Sequence, residues 1–131
     1  MTKIASPRLL AGILLAAHAL IAADRDRPLL EQPPAKDSAR ANPYEQLDQP
    51  RRERAAKAGQ KLFHRECSAC HGQAAQGTRI APALASPLVH VMHPGAIFRV
   101  LRNGNLKHGM PSFAHLPEQQ RWQIVTYLKT L

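Results

Sequence analysis

Cysteine is nearly missing from this chain: its 131 residues hold two, Cys67 and Cys70. A single pair three positions apart excludes the multi-bridge framework of a disulfide-stapled secreted domain. A bridge between them would close so small a loop that its stabilisation would be slight. Aromatic residues make up only 5% of the chain, too few to build a stacking platform for nucleic-acid bases. Acidic residues are scarce over 51–131, where three Asp+Glu face twelve Lys+Arg for a net of +9. Strand-like alternation is also scarce there, which argues against a sheet. The longest apolar run, Leu9 to Ala23, is shorter than the roughly 20 residues of a membrane-spanning helix.

What is present falls into three parts. Residues 1–23 read as a secretory signal peptide, or as an anchor if uncleaved: Lys3 and Arg8 precede the apolar run. Ala22 and Ala23 suit cleavage before Asp24, and Ala17-His18-Ala19 offers a second site. Such export would place the working part in the periplasm, with membrane contact only if the segment stays uncleaved. Residues 24–50 read as a solvated, Pro-rich leader or tether of net charge −2, in which Pro28, Pro33, Pro34, Pro43 and Pro50 oppose a long helix. Residues 51–131 carry helical patterns throughout and predict an all-α domain. Their basic balance suits an anionic partner; export argues against nucleic acid. So small a core calls for a staple of some kind.

The stretch RECSACHGQ, Arg65 to Gln73, places both thiols three apart with His71 directly behind. A thioredoxin-like dithiol shares this spacing but needs a strand before the motif, and the preceding residues are helical in character. A zinc site could recruit His90 and His93 beside Cys67 and Cys70, but it leaves His71 unused. Covalent haem attachment uses every position. Cys67 and Cys70, one helical turn apart, add as thioethers to the two vinyl groups, and His71 supplies one axial nitrogen to the iron. This reading implies one haem c per chain.

These residues, with the flanking segments, resemble the small monohaem c-type cytochromes of bacteria, the His/Met-ligated kind, over about residues 51–131. RERAAKAGQKLFHREC precedes the motif with high helix propensity. Gly59 and Phe63 match the glycine and aromatic that in the family pack against a C-terminal helix. Ile124 and Tyr127 in LPEQQRWQIVTYLKTL match the other side of that crossing. In GTRIAPAL, the resemblance assigns Pro82 as the residue whose carbonyl accepts the second N–H of His71. In RNGNLKHGMPSF, it assigns Met110 as the sixth ligand, with Gly104 and Gly109 loosening the backbone and Pro111 stiffening it. The family fold is all-α, with three to four helices around the haem. The leader and the histidines His64, His90, His93 and His115 have no counterpart in the family motifs and are expected to be solvated or packed.

The resemblance implies a non-enzymatic one-electron carrier. Its partners would be a quinoprotein dehydrogenase, a cytochrome complex or a terminal oxidase, met through acidic patches. Lys61, Arg65, Arg79, Arg99, Arg102 and Lys107 are candidate docking cations. The alternative is a haem sensor in which Met110 dissociates and a small ligand binds. Carbon monoxide binding to the reduced protein would distinguish the two.

Overall fold

The computed structural model describes residues 36–131. The expected signal segment, 1–23, and the first part of the leader, 24–35, lie outside the described residues. Five α-helices follow in order: α1 (Gln49–Glu66), α2 (Ser68–His71), α3 (Pro87–Val91), α4 (Pro94–Asn103) and α5 (Glu118–Leu128). Short 3₁₀ turns cover Lys36–Ala39 and Leu106–His108. Among the described residues the only ladder contact is the isolated bridge between Asn105 and Met110, so the domain is all-α as its patterns predict. No helix among the described residues is long and apolar enough to cross a membrane.

The core is the crossing of α1 and α5. Ala55, Leu62 and Phe63 of α1 are buried, as are Trp122, Ile124, Val125, Tyr127 and Leu128 of α5. Gly59 makes the crossing possible: a Cβ there would sit 1.9 Å from the Gln123 carbonyl oxygen, so only a residue without one lets the backbones meet. Beside it the Phe63 and Tyr127 rings lie 5.5 Å apart at 54°. The two family pairs therefore meet where the resemblance implies.

The helix ends follow local chemistry. The Asp48 side chain caps α1 by accepting the Arg51 N–H at 3.0 Å. Pro50 lies in the first turn, where its missing N–H has no intrahelical acceptor to lose. The helix thus begins at Gln49 and runs through Pro50 rather than starting after it. Ser86 caps α3, and the His93 ring nitrogen caps α4 by accepting the Gly95 N–H at 3.2 Å.

The solvated-tether reading fails over the second part of the leader. Asn42 is buried, and its Nδ2 donates to Thr126 Oγ1 at 2.9 Å. That hydroxyl in turn donates to the Trp122 carbonyl at 2.8 Å. The Arg40 guanidinium lies 5.0 Å from the Phe98 ring centroid and 5.5 Å from that of Trp122, and it pairs with Glu118. Phe98 and Trp122 are themselves stacked at 4.1 Å, bringing α4 onto α5. Residues 40–42 therefore strap α4 and α5 together. The proline content of 24–50 forbids a long helix, but it does not keep such a segment off the core.

Candidate functional site

The Cys-x-x-Cys-His motif sits on a helical turn made almost without interruption from α1. The Cys67 N–H closes α1 onto the Phe63 carbonyl at 2.8 Å, and the Cys67 carbonyl receives the N–H of Cys70 at 3.1 Å and of His71 at 3.0 Å. Helical geometry then places positions 67, 70 and 71 on one face. The two thiols are not bridged. Cys67 is buried and Cys70 exposed. Burial, reinforced by the neighbouring Glu66 and Cys70, pushes the Cys67 thiol up to about 12. It is therefore a neutral thiol near pH 7.

His71 is also buried, and its Nδ1 lies 2.8 Å from the Pro82 carbonyl oxygen. A carbonyl only accepts, so Nδ1 carries a proton, and in the tautomer this selects the lone pair lies on Nε2. The loop after the motif is folded to reach this point. The Thr78 hydroxyl donates to the Cys70 carbonyl at 2.6 Å, and Gly77 N–H donates to the His71 carbonyl at 2.8 Å. The Ala75 carbonyl accepts the N–H groups of Leu84 at 2.8 Å and Ala85 at 2.9 Å. Ala75 itself is held at φ 56°, a left-handed conformation that L-residues adopt at a cost of about 1 kcal/mol. The motif and the Pro82 loop are thus one hydrogen-bonded unit.

Met110 belongs to a second unit at the end of α4. Its backbone pairs with Asn105 in both directions, at 2.9 and 3.1 Å. Gly104 (φ 71°) and Gly109 (φ 78°) make the two bends that permit this. A Cβ on Gly104 would lie 2.6 Å from the Pro111 carbonyl carbon. These glycines fix a tight turn and do not loosen one, contrary to the expectation above. Ser112 Oγ donates to the Arg102 carbonyl at 2.6 Å, and Phe113 N–H to the Leu101 carbonyl at 2.8 Å, which pins the loop to α4.

The donor chemistry fits a haem. Two unbridged thiols stand one turn apart, and a buried imidazole has its tautomer fixed with Nε2 available. A half-buried thioether lies in a second rigid loop. Apolar surface accompanies both loops, with Ile80 68% and Leu106 79% exposed. The competing sites are not assembled. No group of three or more His, Cys, Asp or Glu able to hold a metal exists among the described residues, so Cys67 and Cys70 do not meet His90 and His93 in a zinc site. No strand exists there either, which removes the thioredoxin-like arrangement.

An all-α domain that carries this motif on the helical turn following its first long helix defines a small c-type cytochrome. The chain matches, over residues 54–128, the family described as cytochrome c oxidase, cbb3-type, subunit III, and it belongs to that family. The family carries c-type haem, covalently bound and containing iron, and serves haem-based electron transfer. Comparison with curated proteins gives no match.

The structure also revises the surface. Arg99, expected among the docking cations, is buried on α4 at 8% exposure and cannot meet a partner there. Lys61, Arg65, Arg79, Arg102 and Lys107 are exposed. Sequence reasoning missed Arg121. This side chain is buried in α5, and its Nη1 donates to the carbonyls of Leu116 (2.6 Å), Ala114 (3.0 Å) and Phe113 (3.4 Å). A signal for it existed: Arg121, Val125 and Leu128 fall at helical spacing on one stripe, so the cation occupies a core position.

Proposed function

We propose that this chain is an exported one-electron carrier whose haem is held by four named side chains. Cys67 and Cys70 would anchor it through thioether sulfurs, and His71 Nε2 and the Met110 sulfur would hold the iron. When bound, the haem supplies a single iron centre that accepts and releases one electron. The observation that carries this reading is the 2.8 Å contact from His71 Nδ1 to the Pro82 carbonyl. It supports His71 as a ligand, because a carbonyl bonded to Nδ1 leaves Nε2 as the basic nitrogen, orients the ring and would raise its basicity. Two strong protein ligands leave no open position for a substrate, and a thioether raises the reduction potential relative to a second histidine. Both favour electron carriage over catalysis.

In this reading residues 1–23 direct export to the periplasm, and the cytochrome domain extends to Leu131. Its partners are redox proteins with acidic docking patches: a quinoprotein dehydrogenase, a cytochrome complex or a terminal oxidase. The exposed Lys61, Arg79 and Lys107 suit such patches. Arg65 is partly neutralised by Glu66 at 2.6 Å and contributes less.

Spectroscopy of the exported protein tests the ligand set. The oxidised protein is expected to show the far-red methionine-to-iron charge-transfer band, and the reduced protein to ignore carbon monoxide at neutral pH. Ready carbon monoxide binding, with no such band, would establish the sensor alternative instead.

A further inference from the structure

We propose that Arg121 is a positioning residue for Met110: it holds the chain that follows the sulfur against α5, and so keeps that sulfur available to the iron. The inference rests on the assignment of Met110 as a ligand.

An arginine is always charged and carries five N–H donors, so its burial is unfavourable unless those donors find acceptors. Arg121 is buried, and the acceptors of its Nη1 lie in one place. Its Nη1 faces three carbonyls from a four-residue span, Phe113, Ala114 and Leu116. These hydrogen bonds all fall on the loop that follows Met110. Its guanidinium also lies 5.2 Å from the Phe98 ring centroid, which ties it to α4. Its Nε is buried without a hydrogen-bond partner, so the side chain is committed through its far end.

The loop is then gripped from two sides. On one side Ser112 Oγ and Phe113 N–H bond to the carbonyls of Arg102 and Leu101 at the end of α4. On the other, Arg121 collects the carbonyls that turn the chain towards α5. Met110 stands three residues before Phe113 and has its own backbone fixed by Asn105. Without Arg121 the α4 side of the grip persists and the α5 side does not. The Leu116 carbonyl, within a buried residue, would be left without this donor. Such a loss favours local opening by about tenfold or more.

The test uses the intact haem-bound protein and two variants, Arg121→Met, which keeps the length and removes every donor, and Arg121→Lys, which keeps the charge and some of the donors. Hydrogen exchange reads the loop directly, and the far-red band followed against pH reads the sulfur–iron bond. For Arg121→Met the amides of 112–116 are expected to exchange about tenfold faster while α1 keeps its protection. The band is expected to vanish at a midpoint about one pH unit lower with helix content unchanged, and Arg121→Lys to recover part of both.

Unchanged exchange in the loop overturns the proposal. Band and helices lost together at one shared midpoint also overturn it, because that is general structural support. Faster loop exchange with an unmoved band shows a held loop that does not govern the sulfur, and overturns it too. Met110→Leu separates the two readings: if it leaves the parent spectrum intact, the ligand assignment fails, and this positioning role fails with it. The exchange result then still stands as a measurement of the loop.

Discussion

At the scale of the residue, the two cysteines make a contrast that can be measured. In haem-free protein, an alkylating reagent at pH 8 is expected to label exposed Cys70 well before Cys67, read by peptide mass mapping. Thiolate is the reactive form, and burial holds Cys67 protonated up to about 12. Equal labelling would contradict the burial. The same shift predicts alkaline sensitivity of the haem-free fold. The folded thiol titrates higher than the unfolded one, whose ordinary value is 9.0, so stability is unaffected below about that pH and falls as pH rises from there towards 12. In the haem-bound protein the thiols are consumed and this dependence is absent. For Met110→Leu, the expected outcome is loss of the far-red band and gain of carbon monoxide binding, with the haem still attached. Much of this scale was legible in the sequence, because thiol, imidazole and thioether chemistry attach to residue types at fixed spacing. Arg121 was not read. A cation on an apolar stripe has meaning only once the loop carbonyls it serves have been folded into reach.

At the scale of the element, the α1–α5 crossing and the strap carry the fold. Gly59→Ala would gain roughly 1 kcal/mol of helix propensity, but the added methyl carbon would fall inside the Gln123 carbonyl. Overpacking outweighs the gain by about 2 kcal/mol, and a loss of about 10 °C in Tm is expected by calorimetry. No change, or a rise, would mean that the helices separate freely. The strap makes a second prediction. Arg40→Leu removes the charge over Phe98 and Trp122 and the pairing with Glu118. The Glu118 carboxyl is held below its usual range, first by its hydrogen bond to Arg40. That contribution is present above the ordinary carboxylate range and fades as pH falls below it, through the lowered folded value. Both side chains are more than a third exposed, so the ion pair is worth little and the ring contact dominates. Arg40→Leu is therefore expected to lower stability by about 1 kcal/mol at pH 7 and by nearly as much at pH 3; a deficit confined to neutral pH would contradict this ranking. Helix positions were legible because apolar residues recur at helical spacing. The strap was not, since a proline-rich segment shows what structure it avoids and not what it lies against. Asn42 gives no sign in sequence that Thr126, 84 residues on, will accept its N–H.

At the scale of the whole molecule, the fold carries a net of +9 over residues 51–131, and only part of that charge is on offer. Arg99 and Arg121 are buried, so surface steering falls to the remaining cations. Electron transfer to an acidic partner is expected to slow as ionic strength rises, and Lys107→Glu to slow it further at low salt without altering the spectrum. A rate independent of salt would remove the acidic-partner reading and leave the haem intact. The sequence alone overstated this surface, since counting charges cannot tell a docking cation from one that serves loop carbonyls in the interior.

The claim beneath all of these is that Cys67 and Cys70 hold a haem covalently. Intact-mass spectrometry of the denatured protein, made in cells with a working haem-ligation system, tests it most directly. The expected mass exceeds that of the polypeptide alone by one haem, an increment retained in denaturant and lost when both cysteines are replaced by alanine. A colourless protein with the bare polypeptide mass would contradict it.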